Sequence, residues 1–265
     1  MKDMRSNISS KLLKTRVLLR HRGLARFIPL TRLFSRQVLY DMLERYGMVY
    51  VKPDTGSLGI GVMKVEKQGR AYRYQSGTRI FAFASFPALF ESLRQRIGRR
   101  KYLVQKGIHV LRHGGRPYDF RVMIQKNPAR RWEPTGIAGR VAHPRKAVTN
   151  GSQGGTIFPA GTLLLPHAGR TRSLALLGLM NRMARVTAAQ LGRAYPAMNE
   201  LGLDIAVDGR LHPWILEVNT HPDPCPFTKL PDQRMIRKIV AYAKSYGRRY
   251  NLTCNKAKRA PHRSQ

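Results

Sequence analysis

Acidic residues are scarce in this sequence: 14 Asp and Glu stand against 49 Lys and Arg among 265 residues, a formal net charge of +35. An acidic, solvating chain is thereby excluded, and an anionic partner is expected. Cysteine is almost missing. Cys225 and Cys254 are the only two, too few for a disulfide framework and without metal-ligand spacing, which argues against a stapled secreted scaffold or a zinc module. His109, His113, His143 and His221 show no ligand spacing, and no Ser/His/Asp or Cys/His nucleophile arrangement is visible. No apolar run approaches a membrane span. Residues 1–36 break their apolar residues with a basic one every two to four positions, which rules out the apolar core of a secretion signal. An intracellular, cytoplasmic location is the expectation, although an Arg-rich, acid-poor start is shared with organelle transit segments and surface-binding amphipathic stretches.

What is present is a folding chain. Hydrophobic residues make up 42% and aromatics 8%, enough for a sizeable core. The positive charge gathers at the ends: residues 1–36 hold ten basic residues and one acid, and residues 229–265 hold eleven and one. A basic arm over 1–30, a folded region over 31–250 and a basic, disordered tail over 251–265 are expected. The spacing of Leu33, Phe34, Val38, Met42, Leu43 and Tyr46 predicts a helix capped by Thr31 and ended by Gly47. Strands are expected over 48–53 and 63–66, joined by a loop with Gly56, Gly59 and Gly61 whose exposed amides suit phosphate oxygens. No Gly-Lys-Ser/Thr follows, so this is not the strand-loop-helix phosphate motif. Further on, strands are predicted over 102–105, 118–126 and 132–141, then a polar loop over 143–155. A long helix over 170–195 should bury Leu174, Leu177, Ala184, Ala188 and Leu191, and Asp232 should cap a last helix.

The stretch from Leu203 to Thr220 reads as two apolar strands joined at Asp208-Gly209, a pair that supplies the positive φ of a tight turn. Asp204 starts the first strand, while Glu217 and Asn219 lie two apart on the second and share a face. Three oxygen donors can thus converge. A hard cation such as Mg²⁺ takes such a set together with water and a nucleotide's phosphates. Taken alone, the same residues also describe a hairpin with a polar solvent face.

In order, the features are the strand lysine Lys52, the glycine hairpin, Gln105-Lys106-Gly107-Ile108 after a strand, Asp119-Phe120-Arg121, a loop with Asn150 and Gly154-Gly155, and the Asp…Glu-Val-Asn hairpin. This order resembles the ATP-grasp superfamily, and within it the YheC/YheD group of spore-coat-associated proteins, with RimK-type glutamate ligases and D-alanine–D-alanine ligases as relatives. The resemblance runs from about Thr31 to Tyr246. It implies an α+β fold whose two lobes, with antiparallel sheets and a boundary near 106–118, grip ATP between them. It further implies that Lys52 meets the α- and β-phosphates, that the hairpin with Gly56, Ser57, Gly59 and Gly61 covers them, and that Gln105, Lys106, Gly107 and Ile108 read adenine. Arg121 and Arg140 match arginines that face the transferring phosphoryl group, Asn150 matches the loop near the phosphates, and Asp204, Glu217 and Asn219 match the Mg²⁺ ligands.

The activity so implied is an ADP-forming, ATP- and Mg²⁺-dependent ligase that joins an unidentified carboxylate to an unidentified amine through an acyl phosphate, with a spore-coat association. Phosphoryl transfer asks mainly for cations and fixed dipoles around the migrating group. Two other readings stand beside it: a structural spore-coat protein that binds ATP without ligating anything, and a nonspecific nucleic-acid binder suggested by the charge, for which no recognised motif is present. Relatives commonly carry a domain ahead of the grasp portion, whereas about fifty residues precede Lys52 here. The basic ends are expected to dock on an anionic surface or polymer and to be dispensable for nucleotide binding.

Overall fold

Two sheets carry the architecture, and strand alternation decides what each one faces. The computed structural model describes residues 8–144, 155–255 and 257–261. Its helices are α1 (Lys11–Leu19), α2 (Arg22–Ala25), α3 (Arg36–Tyr46), α4 (Phe86–Ile97), α5 (Ala160–Ala194), α6 (Cys225–Thr228) and α7 (Arg234–Ser245). Its strands are β1 (Thr31–Leu33), β2 (Met48–Pro53), β3 (Met63–Gln68), β4 (Ala71–Ser76), β5 (Arg79–Phe83), β6 (Tyr102–Lys106), β7 (Arg112–His113), β8 (Arg116–Lys126), β9 (Trp132–Val141), β10 (Thr156–Pro159), β11 (Glu200–Val207), β12 (Pro213–Asn219) and β13 (Lys258–Arg259). No helix among the described residues is long and apolar enough to cross a membrane.

The first sheet runs β1-β6-β2-β3-β4-β5, antiparallel throughout. Leu39 and Leu43 of α3 and Leu89 and Leu93 of α4 bury against its Val49, Val51 and Val65. The second runs β12-β11-β8-β9-β10-β13, with β7 added beside β8, and only its β10–β13 pair is parallel. Because successive strand residues point to opposite faces, Tyr118, Phe120, Val122 and Ile124 of β8 join Leu201, Leu203 and Ile205 of β11 in the core beneath α5. The other face packs Met123 and Ala138 under Phe227, Ile236 and Ile239 of α6 and α7. The same alternation puts Asp119, Arg121 and Asp204 on that second face, toward the first sheet. The α+β fold with two antiparallel-type sheets is the fold expected.

Several local expectations are corrected. Thr31 lies in β1, and the following helix starts at Arg36, where the Ser35 hydroxyl accepts the Val38 N–H at 3.2 Å. A β-strand wins there because Thr31 to Leu33 pair with Gln105 to Leu103 along the edge of β6. Asp208 and Gly209 do not make a two-residue turn. Strand β11 ends at Val207 and β12 starts at Pro213, the Asp208 carboxylate accepts the N–H groups of Arg210 and His212, and the positive φ belongs to Leu211. The long helix begins at Ala160 and breaks at Gly169 (φ 67°), and Leu174 is exposed on it. Asn150 and Gly154 lie outside the described residues.

Both ends are tied in rather than appended. Leu12, Leu18, Leu24, Phe27 and Ile28 of the N-terminal stretch are buried, most of them in the core under α5. The Asp54 carboxylate accepts from the Ser10 hydroxyl (2.9 Å) and the Leu12 N–H (2.8 Å), which fixes the start of α1 to the first sheet. At the other end β13 pairs with β10, and Cys225 and Cys254 form a disulfide with Cα atoms 5.6 Å apart. Counting cysteines could not reveal this, since two thiols pair only if the fold brings them together.

Candidate functional site

Strand β2 delivers Lys52 into the cleft between the sheets. Its side chain is 7% exposed, and Nζ donates to Gln105 Oε1 at 2.8 Å and to the Leu216 carbonyl at 3.1 Å. Burial pushes the ammonium down to about 8, with the Glu217 carboxylate opposing and Lys11 and Lys14 adding to the fall. Gln105 in turn donates to Thr31 Oγ1 at 3.0 Å, so its carbonyl is aimed at the lysine.

The cleft wall is completed by Tyr50, Gly59, Val62, Lys106, Ile108 and Leu216, with Asp119, Asp204 and Glu217 at its polar end. It encloses about 790 Å³ of non-protein space, mouth included, within the range of small-molecule sites. Gly107 does not line it. A Cβ there would lie 2.7 Å from the Met48 carbonyl, to which the Gly107 N–H donates at 2.9 Å, so this glycine serves close approach of β6 to β2. In the loop over 54–62, Gly56, Gly59 and Gly61 all have positive φ, as does Leu58. A Cβ on Gly61 would also meet the Tyr102 hydroxyl at 2.7 Å.

At the polar end, four side chains interlock. Arg140 Nε and a terminal nitrogen donate to Asp119 at 2.7 and 2.6 Å, and that terminal nitrogen also lies 3.1 Å from Asp204 Oδ2. Arg121 Nε donates to Asp204 Oδ1 at 2.7 Å. Burial alone would raise the Asp204 carboxyl, but Arg121 and Arg140 hold it below the usual carboxylate range. Burial also works against the Arg140 charge, yet Asp119 and Asp204 raise its pKa above the ordinary value. Gly202 makes room for this cluster: a Cβ on it would come within 2.6 Å of Pro222 and 3.2 Å of Arg121.

Asp204, Glu217 and Asn219 share a second cavity with Ser57, Arg121 and Arg140. Asp204 and Glu217 are register partners on β11 and β12, and a bulge follows at Ile205. Asn219 Nδ2 donates weakly to the Gly202 carbonyl at 3.4 Å. Among the described residues no three His, Cys, Asp or Glu side chains form a metal cage. Two carboxylates and an amide suit Mg²⁺, which keeps several waters and takes its remaining oxygens from substrate phosphates.

Lys11 and Lys14 are the site residues that reading the first thirty residues as an arm missed. Both are buried on α1. Lys11 Nζ donates to the Gly56 carbonyl at 2.8 Å and lies 3.5 Å from Glu217 Oε1. Burial pushes Lys14 down to about 8, Glu217 opposing. Helical spacing gave no signal for them, because Leu12 and Leu18 lie about 120° apart around a helix and Leu13 and Leu19 beside them are exposed.

A family model described as YheC/D like ATP-grasp matches residues 4–249. Endospore coat-associated protein YheD of Bacillus subtilis is 24% identical over 206 residues, covering 75% of this chain and 45% of YheD. Endospore coat-associated protein YheC of the same organism is 27% identical over 207 residues, covering 74% and 55%. The chain spans about half the length of these curated relatives. Among solved structures, N5-carboxyaminoimidazole synthase from Aspergillus clavatus, in complex with ADP and 5-aminoimidazole ribonucleotide, matches with a TM-score of 0.55 at 13% identity, over 97% of this chain and 55% of that one. At that identity the likeness bears on the fold alone.

Proposed function

This chain belongs to the YheC/D-like ATP-grasp family, and from that premise we propose that it is an ATP- and Mg²⁺-dependent ligase that activates a carboxylate as an acyl phosphate and passes it to an amine, releasing ADP and phosphate. The observation that carries this reading is the cleft in which buried Lys52 faces Asp204 and Glu217, adjoining a cavity that those two carboxylates share with Arg121 and Arg140. In this reading Lys52, with Lys11 and Lys14 beside it, binds phosphate oxygens as point charges. The loop with Gly56, Ser57, Gly59 and Gly61 closes over them with backbone amides. Gln105, Lys106 and Ile108 border the base. Asp204, Glu217 and Asn219 would hold Mg²⁺, which supplies positive charge to the β- and γ-phosphates when bound. Arg121 and Arg140, oriented by Asp119 and Asp204, add cationic charge beside the migrating phosphoryl group, where preorganised charge lowers the barrier without reorganising.

A second reading, an ATP-binding protein of the spore coat without ligase activity, is favoured by one observation: both oxygens of Asp204 already accept from arginines. The names of the two Bacillus relatives support an association with the endospore coat under either reading. The nucleic-acid reading loses support, since exposed arginines such as Arg16, Arg96, Arg172 and Arg237 are spread over α1, α4, α5 and α7 rather than gathered on one element. The test is Mg²⁺-dependent ADP release with pooled amino acids, peptides and cell-wall precursors, with mass detection of a condensed product. Nucleotide binding without any product would favour the second reading, and absence of nucleotide binding would overturn both.

A further inference from the structure

The cavity beyond the nucleotide cleft is walled by a stretch of chain that follows the family-matched region. It opens off Arg121, Arg140, Glu217 and Asn219, and its outer side is built from His221 to Asp223 and from Thr253, Cys254 and Asn255; the family match ends at residue 249. This outer stretch is anchored at both ends. Arg248 and Tyr250 bind Glu200 on one side, and Lys258 and Arg259 pair with Thr156 and Ile157 on the other. Between the anchors, no hydrogen bond from residues 251–255 to another part of the chain is found among the described residues, and the Thr253 N–H donates to Asn251 Oδ1 within the stretch. What fastens it to the cavity rim is the Cys225–Cys254 disulfide. Cys225 sits two residues after Asp223, whose carboxylate accepts the Cys225 N–H at 2.9 Å and whose carbonyl lies 3.4 Å from Arg121.

We propose that residues 251–255 form the outer wall of the second-substrate pocket and that the Cys225–Cys254 bond decides how large a substrate the pocket admits. The proposal rests on the ligase reading, because it takes this cavity as the place where the carboxylate or amine meets the phosphoryl end. With the bond intact, the wall is fixed and the pocket takes a small molecule. With the bond broken, the stretch hangs from its two anchors and the end of a longer, peptide-like substrate enters. Opening requires a dithiol reductant: one of its thiolates attacks a sulfur of the disulfide, the second closes the reductant's own disulfide, and Cys225 and Cys254 leave as two thiols.

The experiment uses the full chain purified without reductant, before and after dithiothreitol, with thiol titration to report the bond. No reactive thiol is expected before treatment and two after it. Hydrogen exchange read by mass spectrometry should then quicken by about tenfold or more in residues 219–226 and 251–255, and stay unchanged in 118–126 and 200–207. With Mg²⁺ and ATP, free amino acids should support ADP release in both forms and oligopeptide amines only in the reduced one. The Cys225→Ser/Cys254→Ser double variant should behave as the reduced form; if it fails to fold, the dithiothreitol arm still decides. Free thiols in the untreated chain, unchanged exchange at the wall, or equal size selection in both forms would each overturn the proposal. Failure of both redox forms to bind Mg²⁺-ADP by calorimetry would instead overturn the ligase reading beneath it.

Discussion

Arg121 and Asp204 stand opposite each other in the β8–β11 ladder, and the Arg121 Nε–H donates to Asp204 Oδ1 at 2.7 Å. Asp204 also neutralises Arg140 at 3.1 Å, so one carboxylate serves two buried guanidiniums. The Asp204→Asn variant keeps the shape but leaves Arg121 and Arg140 with the Asp119 carboxylate as the one negative charge in the cluster. A loss of stability of about 3–5 kcal/mol is expected, the range for breaking a buried ion pair from one side. Denaturant unfolding of variant and wild type measures it. A midpoint unchanged by the substitution would show that the arginines do not depend on Asp204.

Glu217 should separate function from stability. It is partly exposed and its pair with Lys11 is long, 3.5 Å, but it also faces buried Lys14 and Lys52, so Glu217→Gln should cost about 1–3 kcal/mol, less than Asp204→Asn. Mg²⁺-dependent ADP release should fall by about tenfold or more if this carboxylate holds the cation. Parallel melting curves and a coupled ADP assay give both numbers. Full metal-dependent turnover in the folded variant would take Glu217 out of the Mg²⁺ site.

For Lys52, replacement by Met removes the charge while filling much of the volume. Affinity for ADP should drop by about tenfold or more, from roughly 1.5–3 kcal/mol for a charge-assisted hydrogen bond. Isothermal calorimetry is the measurement, and unchanged affinity would exclude contact with phosphate.

The same lysine predicts a pH dependence. Its folded value near 8 lies below the ordinary 10.5, so between these the unfolded chain binds more protons and folding stability rises with pH. Binding of a polyanion favours the charged form and pulls the other way. Nucleotide affinity should therefore weaken above about pH 8, and binding at pH 8 to 9 should take up protons. Calorimetry in buffers of different ionisation enthalpy checks this. Lys14, also near 8, contributes in the same direction, so Lys52→Met should reduce the uptake without abolishing it.

The N-terminal stretch is expected to be structural. Leu24 is 2% exposed in the core beneath α5, and Leu24→Ala should cost about 2–5 kcal/mol. Deleting residues 1–28 should abolish cooperative melting, since it removes the buried side chains of Ile8, Leu12, Leu18, Leu24, Phe27 and Ile28 and the Asp54 contacts of α1. A trimmed chain that melts cooperatively at the wild-type temperature would restore the view of this region as a dispensable arm.

The sequence by itself determined much of the second face of the site. Period-two alternation in Tyr118 to Lys126 and Leu203 to Val207 dictates which residues go under α5, and so commits Asp119, Arg121 and Asp204 to the opposite side. The glycines of the loop after Lys52 were legible because few other residues tolerate positive φ. Tertiary structure alone decided which partners meet. The acids nearest to Arg121 along the chain are Asp119 and Glu133, but the strand register set it against Asp204, 83 positions away. Lys11 reached Gly56 and Glu217 because apolar burial of Leu12 and Leu18 outweighed the cost of ordering a basic helix. Cys225 and Cys254 meet because the chain returns across the cavity, where β13 pairs with β10. Local pattern fixes the face on which a side chain lies, whereas long-range pairing fixes what stands opposite it, and chemistry at this cleft depends on the second.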